Sequence, residues 1–194
     1  QWSEKTTVLI TYANSITSTN NMSPLSSLQK FVSSKCQQFI DTVHILPFFP
    51  SSSDDGFAVK DYYNIDNEFG DWKDIINISK SFRVMADVVI NHGSSEGVWF
   101  KNFIKGEGRG HDYFLSFDNT FDITEVVRPR TSPLLNTFDT HDGTRYLWCT
   151  FSKDQVDYNF NNPKVINEFV EIILYYLKMG ITIFRFDAVA FLWK

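Results

Sequence analysis

Gly180-Ile181-Thr182-Ile183-Phe184-Arg185-Phe186-Asp187 lies near the end of this 194-residue chain and decides how its fold is read. The run begins apolar and ends in charge. Side chains alternate along a strand, so Ile181, Ile183, Arg185 and Asp187 share one face, and Thr182, Phe184, Phe186 and Ala188 the other. That pattern suits a parallel barrel strand whose lower half fills a core and whose C-terminal tip carries chemistry. A structural Arg/Asp pair at a strand end would give the same pattern.

Working back from this strand, Asn162-Pro163 starts a helix and Gly180 stops it. Val165, Ile166, Phe169, Val170, Ile173, Tyr176 and Leu177 form its apolar face. The same alternation runs through the first hundred residues. Strands are expected at 7–12, 42–49 and 83–90. Helices are expected from Ser23-Pro24 onward, at 71–82 and at 94–105. The order β-α-β-α-β-α-insert-α-β predicts parallel strands with helices outside. A doubly wound sheet would share this order, but no Gly-rich phosphate fingerprint follows the first strand. A closed (β/α)8 TIM barrel takes about 250 residues. The expectation is therefore an α/β fold, the N-terminal half of such a barrel. Residues 1–105 form its first three βα units. Residues 106–160, weak in periodicity, form a small inserted domain after the third strand, and 161–194 form a further helix and strand. The missing initiator Met and the end soon after a strand read as a piece of a longer protein. Four strands alone would leave two open edges, so residues 1–194 by themselves are expected to be aggregation-prone or molten, and catalytically inert.

Composition narrows the function. The chain is 43% hydrophobic and 21% charged, enough for an ordinary core. A net charge of −5 argues against a nucleic-acid groove. No apolar run approaches the roughly 20 residues that span a membrane. No secretory leader is visible, and Cys36 and Cys149 are read as reduced thiols, so a cytoplasmic location is expected. Nothing in the sequence sets the oligomeric state.

Charge within the strands points to a site. Asp87 stands in the middle of the third strand on the face of Met85 and Val89. A buried carboxylate needs a partner to stay ionised, and the neighbouring strand offers one inward cation, Arg185. An Asp87–Arg185 pair would hold the guanidinium beside Asp187, lowering its pKa as a nucleophile requires. Asp87 capping a loop is the alternative. His92 follows Asn91 at the tip of the third strand, where barrel enzymes place chemistry.

At these residues the sequence resembles the α-amylase superfamily, glycoside hydrolase family 13. Asp87-Val88-Val89-Ile90-Asn91-His92 is similar to its first signature motif and Phe184-Arg185-Phe186-Asp187-Ala188 to its second. Gln155-Val156-Asp157-Tyr158-Asn159 resembles the short motif ending its third-loop domain. Leu46-Pro47-Phe48-Phe49, Asp54-Asp55-Gly56-Phe57, Arg128-Pro129-Arg130 and Thr144-Arg145-Tyr146-Leu147-Trp148 point to the sucrose phosphorylase-like group within it. The final Ala188 to Lys194 looks more like the non-sucrose members.

The resemblance implies retaining α-glucosyl transfer: reversible phosphorolysis of sucrose or a related α-glucoside to α-glucose 1-phosphate through a covalent glucosyl-enzyme. It implies Asp187 as nucleophile and Arg185 as the arginine that orients it. Asp54 and His92 would bond the glucosyl hydroxyls, Phe57 would pack on that sugar, and Arg130 would meet phosphate. It further implies an acid/base Glu after the fifth strand and a third carboxylate, an Asp after the seventh, neither within the 194 residues. The implied partners are a small sugar and inorganic phosphate, the latter as co-substrate. No cofactor, metal, nucleic acid or membrane is expected; Asn91 matches a calcium ligand of many amylases, but the phosphorylase-like members generally lack that site. A hydrolase or transglycosylase of the same superfamily and an inactive sugar-binding fragment remain as alternatives.

Overall fold

The computed structural model describes residues 3–119 and 122–194. In chain order its elements are β1 (Val8–Thr11), α1 (Pro24–Phe31), β2 (Thr42–Ile45), α2 (Trp72–Ser79), β3 (Arg83–Val89), β4 (His92–Ser94), α3 (Val98–Lys105), β5 (Ser116–Phe117), β6 (Leu135–Thr140), β7 (Gly143–Trp148), β8 (Gln155–Asp157), α4 (Pro163–Lys178) and β9 (Ile181–Asp187). The fold is α/β. The chain divides into two compact units.

The first unit comprises Gln1–Pro50, Tyr62–Val88 and Glu171–Phe186. Its sheet has the order β1-β2-β3-β9, with β1 and β9 outermost. β1 pairs with β2 and β2 with β3 in parallel; His44 lies opposite Ile10 on one side and Met85 on the other. All of β2 is buried, as a strand covered on both faces must be. The second strand is shorter than the apolar run 42–49 suggested. Pro47 has no N–H to give a ladder, so pairing stops and the chain turns away. Phe48 and Phe49 are buried instead: Phe49 stacks on Tyr176 at 5.1 Å and Phe48 meets Trp72 edge-on at 6.0 Å.

Capping sets the helices of this unit. Ser23 accepts from Ser26 N at 3.2 Å, with Pro24 in the first turn. Beyond Phe31 the helix loosens into a π-type segment, Val32–Cys36. Asp71 and Asp74 form a capping box at α2. Asp74 also accepts from Ser23 Oγ at 3.1 Å and Ser26 Oγ at 2.5 Å, which ties together the starts of α1 and α2. Gly180 ends α4 at φ +90, where a Cβ would fall 2.4 Å from Ser79 Oγ.

The second unit comprises Ser51–Asp61, Val89–Val170 and Asp187–Lys194. Residues 106–160, in which no period was readable, carry an antiparallel sheet of order β5-β7-β6 and the strand β8. β6 and β7 form a hairpin closed by His141-Asp142. β4 pairs antiparallel with β8, placing His92 opposite Asp157 and Ser94 opposite Gln155. This pairing corrects the expected helix at 94–105: Ser94 is drawn into a strand, and α3 starts only at Val98 behind Gly97. Phe114 packs on Tyr158 at 5.0 Å and on Phe100 at 5.3 Å, and Tyr158 meets Phe169 at 5.4 Å. Position 93 must be glycine here, since a Cβ would lie 2.0 Å from the Tyr158 hydroxyl oxygen. Buried Glu168 of α4 takes a two-pronged bond from Arg109, 2.7 Å on each arm, and a third from Tyr113 at 2.8 Å. Burial and Glu168 together push the Tyr113 hydroxyl up to about 12.

Among the described residues no helix is long and apolar enough to cross a membrane. Cys36 and Cys149 are free.

Candidate active site

In the first unit Asp87 is fully buried on β3. The Arg185 guanidinium donates to Asp87 Oδ1, and His44 Nε2 lies 2.8 Å from Oδ2. Arg185 is thus not the only inward partner of this carboxylate, which corrects the sequence reading. His44 reaches it because the parallel register sets His44 beside Met85, two residues before Asp87 and on the same face. Nothing local marked His44, since it sits in an otherwise ordinary buried strand. Asp187 follows Arg185 by two positions on β9 and shares its face.

In the second unit β4 and β8 bring a polar cluster together. His92 is 1% exposed. Its Nε2 lies 3.0 Å from the Phe57 carbonyl, an acceptor only, so this nitrogen carries the proton. Nδ1 then accepts from Asn91 Nδ2 at 3.2 Å. Gln155 Nε2 donates to Asp54 Oδ2 at 2.8 Å and packs 3.2 Å from His92 Nε2, a contact of two donors. Burial lowers the His92 pKa, while Asp157, the Phe57 carbonyl, Asp187 and Asp54 pull it up in part. The ring is therefore neutral near pH 7. Phe151 meets it edge-on at 5.1 Å.

Asp157, fully buried on β8, is held by Thr150 N at 2.9 Å, Thr150 Oγ1 at 2.5 Å and Asn91 Nδ2 at 3.0 Å. Lys194 Nζ completes the set, 2.6 Å from Asp157 Oδ2 and 3.1 Å from Asn91 Oδ1. Burial lowers the Lys194 pKa and Asp157 opposes that shift. The oxygens a cation would want already accept from this ammonium. Among the described residues no group of three or more His, Cys, Asp or Glu is placed to hold a metal.

The structure thus brings Asp54 and His92 to Gln155 and the Phe57 carbonyl to His92, with the Asp187 charge acting on His92. Asp87, buried, and Arg185, half-exposed, form their own pair. Arg130 is exposed on the loop between β5 and β6, and none of these bonds includes it. Gln155 was visible in its motif, yet its role there was not, because its partner Asp54 lies 101 residues earlier.

Residues 38–194 match the family model described as alpha amylase, catalytic domain. The chain belongs to the α-amylase family. Within it, this chain is 43% identical over 187 residues to the glucosylglycerate phosphorylase of Spirochaeta thermophila, covering 96% of this chain and 32% of that protein. The Escherichia coli protein of the same name is 42% identical over 194 residues, covering 100% and 34%. Sucrose 6(F)-phosphate phosphorylase of Thermoanaerobacterium thermosaccharolyticum is 32% identical over 204 residues, covering 96% and 40%. The crystal structure of sucrose 6F-phosphate phosphorylase from Thermoanaerobacter thermosaccharolyticum matches with a TM-score of 0.89 at 29% identity, over 100% of this chain and 42% of that one. The resemblance read from the motifs, to the amylase superfamily and its phosphorylase group, is confirmed. This α-amylase family chain spans about a third of the length of the curated glucosylglycerate phosphorylases it matches.

Proposed function

We propose that this chain supplies the nucleophile and most of the glucosyl-binding groups of a retaining α-glucoside phosphorylase. The observation that carries this reading is the Asp54–Gln155–His92 cluster, in which His92 also feels the charge of Asp187. A carboxylate, an amide and a neutral imidazole suit the hydroxyls of one glucosyl unit, and Phe57 offers that sugar an apolar face. In the first step an Asp187 oxygen attacks the anomeric carbon as the glycosidic C–O bond breaks. A carboxylic acid roughly 5–5.5 Å away protonates the leaving oxygen. In the second step a phosphate oxygen attacks the same carbon, the bond to Asp187 breaks, and α-glucose 1-phosphate leaves with retained configuration. Arg130 meets the phosphate, offsetting repulsion from nearby carboxylates. The reaction needs no cofactor. The acid/base and the third carboxylate come from outside the 194 residues.

In this reading the four-stranded sheet is the N-terminal half of a (β/α)8 barrel, with 1–105 as its first βα units, 106–160 as the domain inserted after the third strand, and 161–194 as the following helix and strand. The higher identity to glucosylglycerate phosphorylases, 43% against 32%, favours glycerate over a fructosyl acceptor.

The test uses the protein of the full reading frame that encodes this chain. Asp187→Asn should fold like the parent and form no covalent glucosyl adduct when α-glucose 1-phosphate is added and the product is read by mass spectrometry. An adduct trapped on another residue refutes the assignment. Free glucose in place of glucose 1-phosphate, with phosphate present, would show a hydrolase.

A further inference from the structure

We infer that Asp154 is a positioning residue for the glucosyl site, clasping the loop that carries Asp54 and Phe57 to the strands that carry His92 and Gln155. The inference rests on the proposed glucosyl site.

Asp154 stands just before β8, next to Gln155, in the second unit. One carboxylate oxygen, Oδ2, accepts from Ser52 Oγ and from Ser53 Oγ, both at 2.5 Å. The other, Oδ1, accepts from Ser94 Oγ at 3.2 Å, Ser95 N at 3.2 Å and Ser95 Oγ at 2.8 Å. Ser52 and Ser94 also touch each other, Oγ to Oγ at 2.6 Å. Four serines from two distant segments therefore converge on one carboxylate. Burial resists its ionisation, but the serine hydrogen bonds outweigh burial and lower its pKa. It stays an acceptor on both oxygens near pH 7.

The loop it holds needs holding. Asp54 and Asp55 have φ of 57 and 50, left-handed values that are costly for residues with a Cβ. The loop's own bonds include Ser52 N to Ala58 O at 3.0 Å, Phe57 N to Asp54 O at 2.9 Å and Ala58 N to Ser53 O at 3.3 Å. Val59 O accepts from Ser94 N at 2.9 Å at the loop's far end. Removing the Asp154 carboxylate frees the Ser52-Ser53 arm immediately before Asp54. It also loosens the segment from which Gln155 reaches Asp54 and His92. Asp154 touches no substrate in this scheme; it acts through the residues that do.

The test uses the full reading frame and measures three quantities in Asp154→Ala: kcat and KM for α-glucose 1-phosphate, glucose affinity by calorimetry, and amide exchange over residues 52–58. Losing several charge-assisted bonds should raise KM and the glucose Kd about tenfold or more. kcat at saturation should stay within about threefold, since the nucleophile is not displaced. The amides of Phe57 and Ala58 should exchange faster, and Asp154→Glu, which keeps the charge, should restore part of the affinity. A fall in kcat with KM and glucose Kd unchanged overturns the inference. If Asp154→Ala does not fold, Ser52→Ala and Ser53→Ala each remove one hydroxyl, and unchanged glucose affinity in both overturns it equally. Asp54→Ala is the control for the underlying reading. If it too binds glucose normally, the glucosyl-site assignment has failed and this inference falls with it.

Discussion

Removing Arg185 should cost more stability than removing its buried partner Asp87, although Arg185 is the more exposed of the two. Asp87 is 0% exposed at its side chain and Arg185 46%. Asp87→Ala leaves His44, which is buried, with Nε2 lacking its acceptor, a loss of about 1–3 kcal/mol. Arg185, half in water, loses a bond worth about 0–1 kcal/mol at that exposure. The sum is about 1–4 kcal/mol. Arg185→Ala instead leaves the buried Asp87 carboxyl with one imidazole for company. Removing the partner of a buried carboxyl group costs about 3–5 kcal/mol. In the double variant the stranded group is gone, so it should be more stable than Arg185→Ala alone. Urea unfolding of the four proteins at pH 7, from the full reading frame, reads these differences directly. Arg185→Ala milder than Asp87→Ala, or a double variant carrying the full sum of both losses, would refute the reasoning.

Two further outcomes are expected. Arg130→Ala should slow phosphorolysis about tenfold, the loss of one charge-assisted contact to phosphate, while slow hydrolysis of the same donor stays within about twofold; equal loss of both would reduce Arg130 to loop support. The His92 pKa lies below its ordinary 6.5, so the folded state resists protonation that the unfolded chain accepts. Stability from this source is fully present above about pH 6.5 and drains as pH falls toward the folded value. Wild-type protein should therefore lose unfolding free energy between pH 7 and 5 faster than His92→Gln, and equal slopes would count against it.

Local order was legible where local physics decides it. β9 and α4 followed from alternation, Asn162-Pro163 and Gly180, because caps and periodicity act within a few residues. The run 42–49 was read too long because its apolar side chains announced burial and hid Pro47, whose missing N–H ends the ladder. The hairpin β6–β7 was missed: its turn residues are His141-Asp142, so the Asp142-Gly143 pair that would signal a tight turn sits one position late, with Gly143 already in β7. His44, Gln155 and Asp154 were different. Each takes its role from a partner far along the chain: Asp87 is 43 residues from His44, Asp54 101 from Gln155, and Ser52 102 from Asp154. No window of sequence holds both members of such a pair.

The donors around four carboxylates differ, and under the proposed function the difference separates three that build the fold from Asp54. A buried anion persists only if its lone pairs are filled. Asp87 has an imidazole and a guanidinium; Asp157 has Thr150, Asn91 and Lys194. Asp154, half-buried, has four serines. Asp54 is exposed and accepts from the neutral amide of Gln155. Its backbone is held in a left-handed turn, with φ of 57. In the proposed function an exposed carboxylate held in this way accepts hydrogen bonds from the hydroxyls of an incoming sugar. Asp87 and Asp157 could do so only by giving up a partner that their burial makes indispensable.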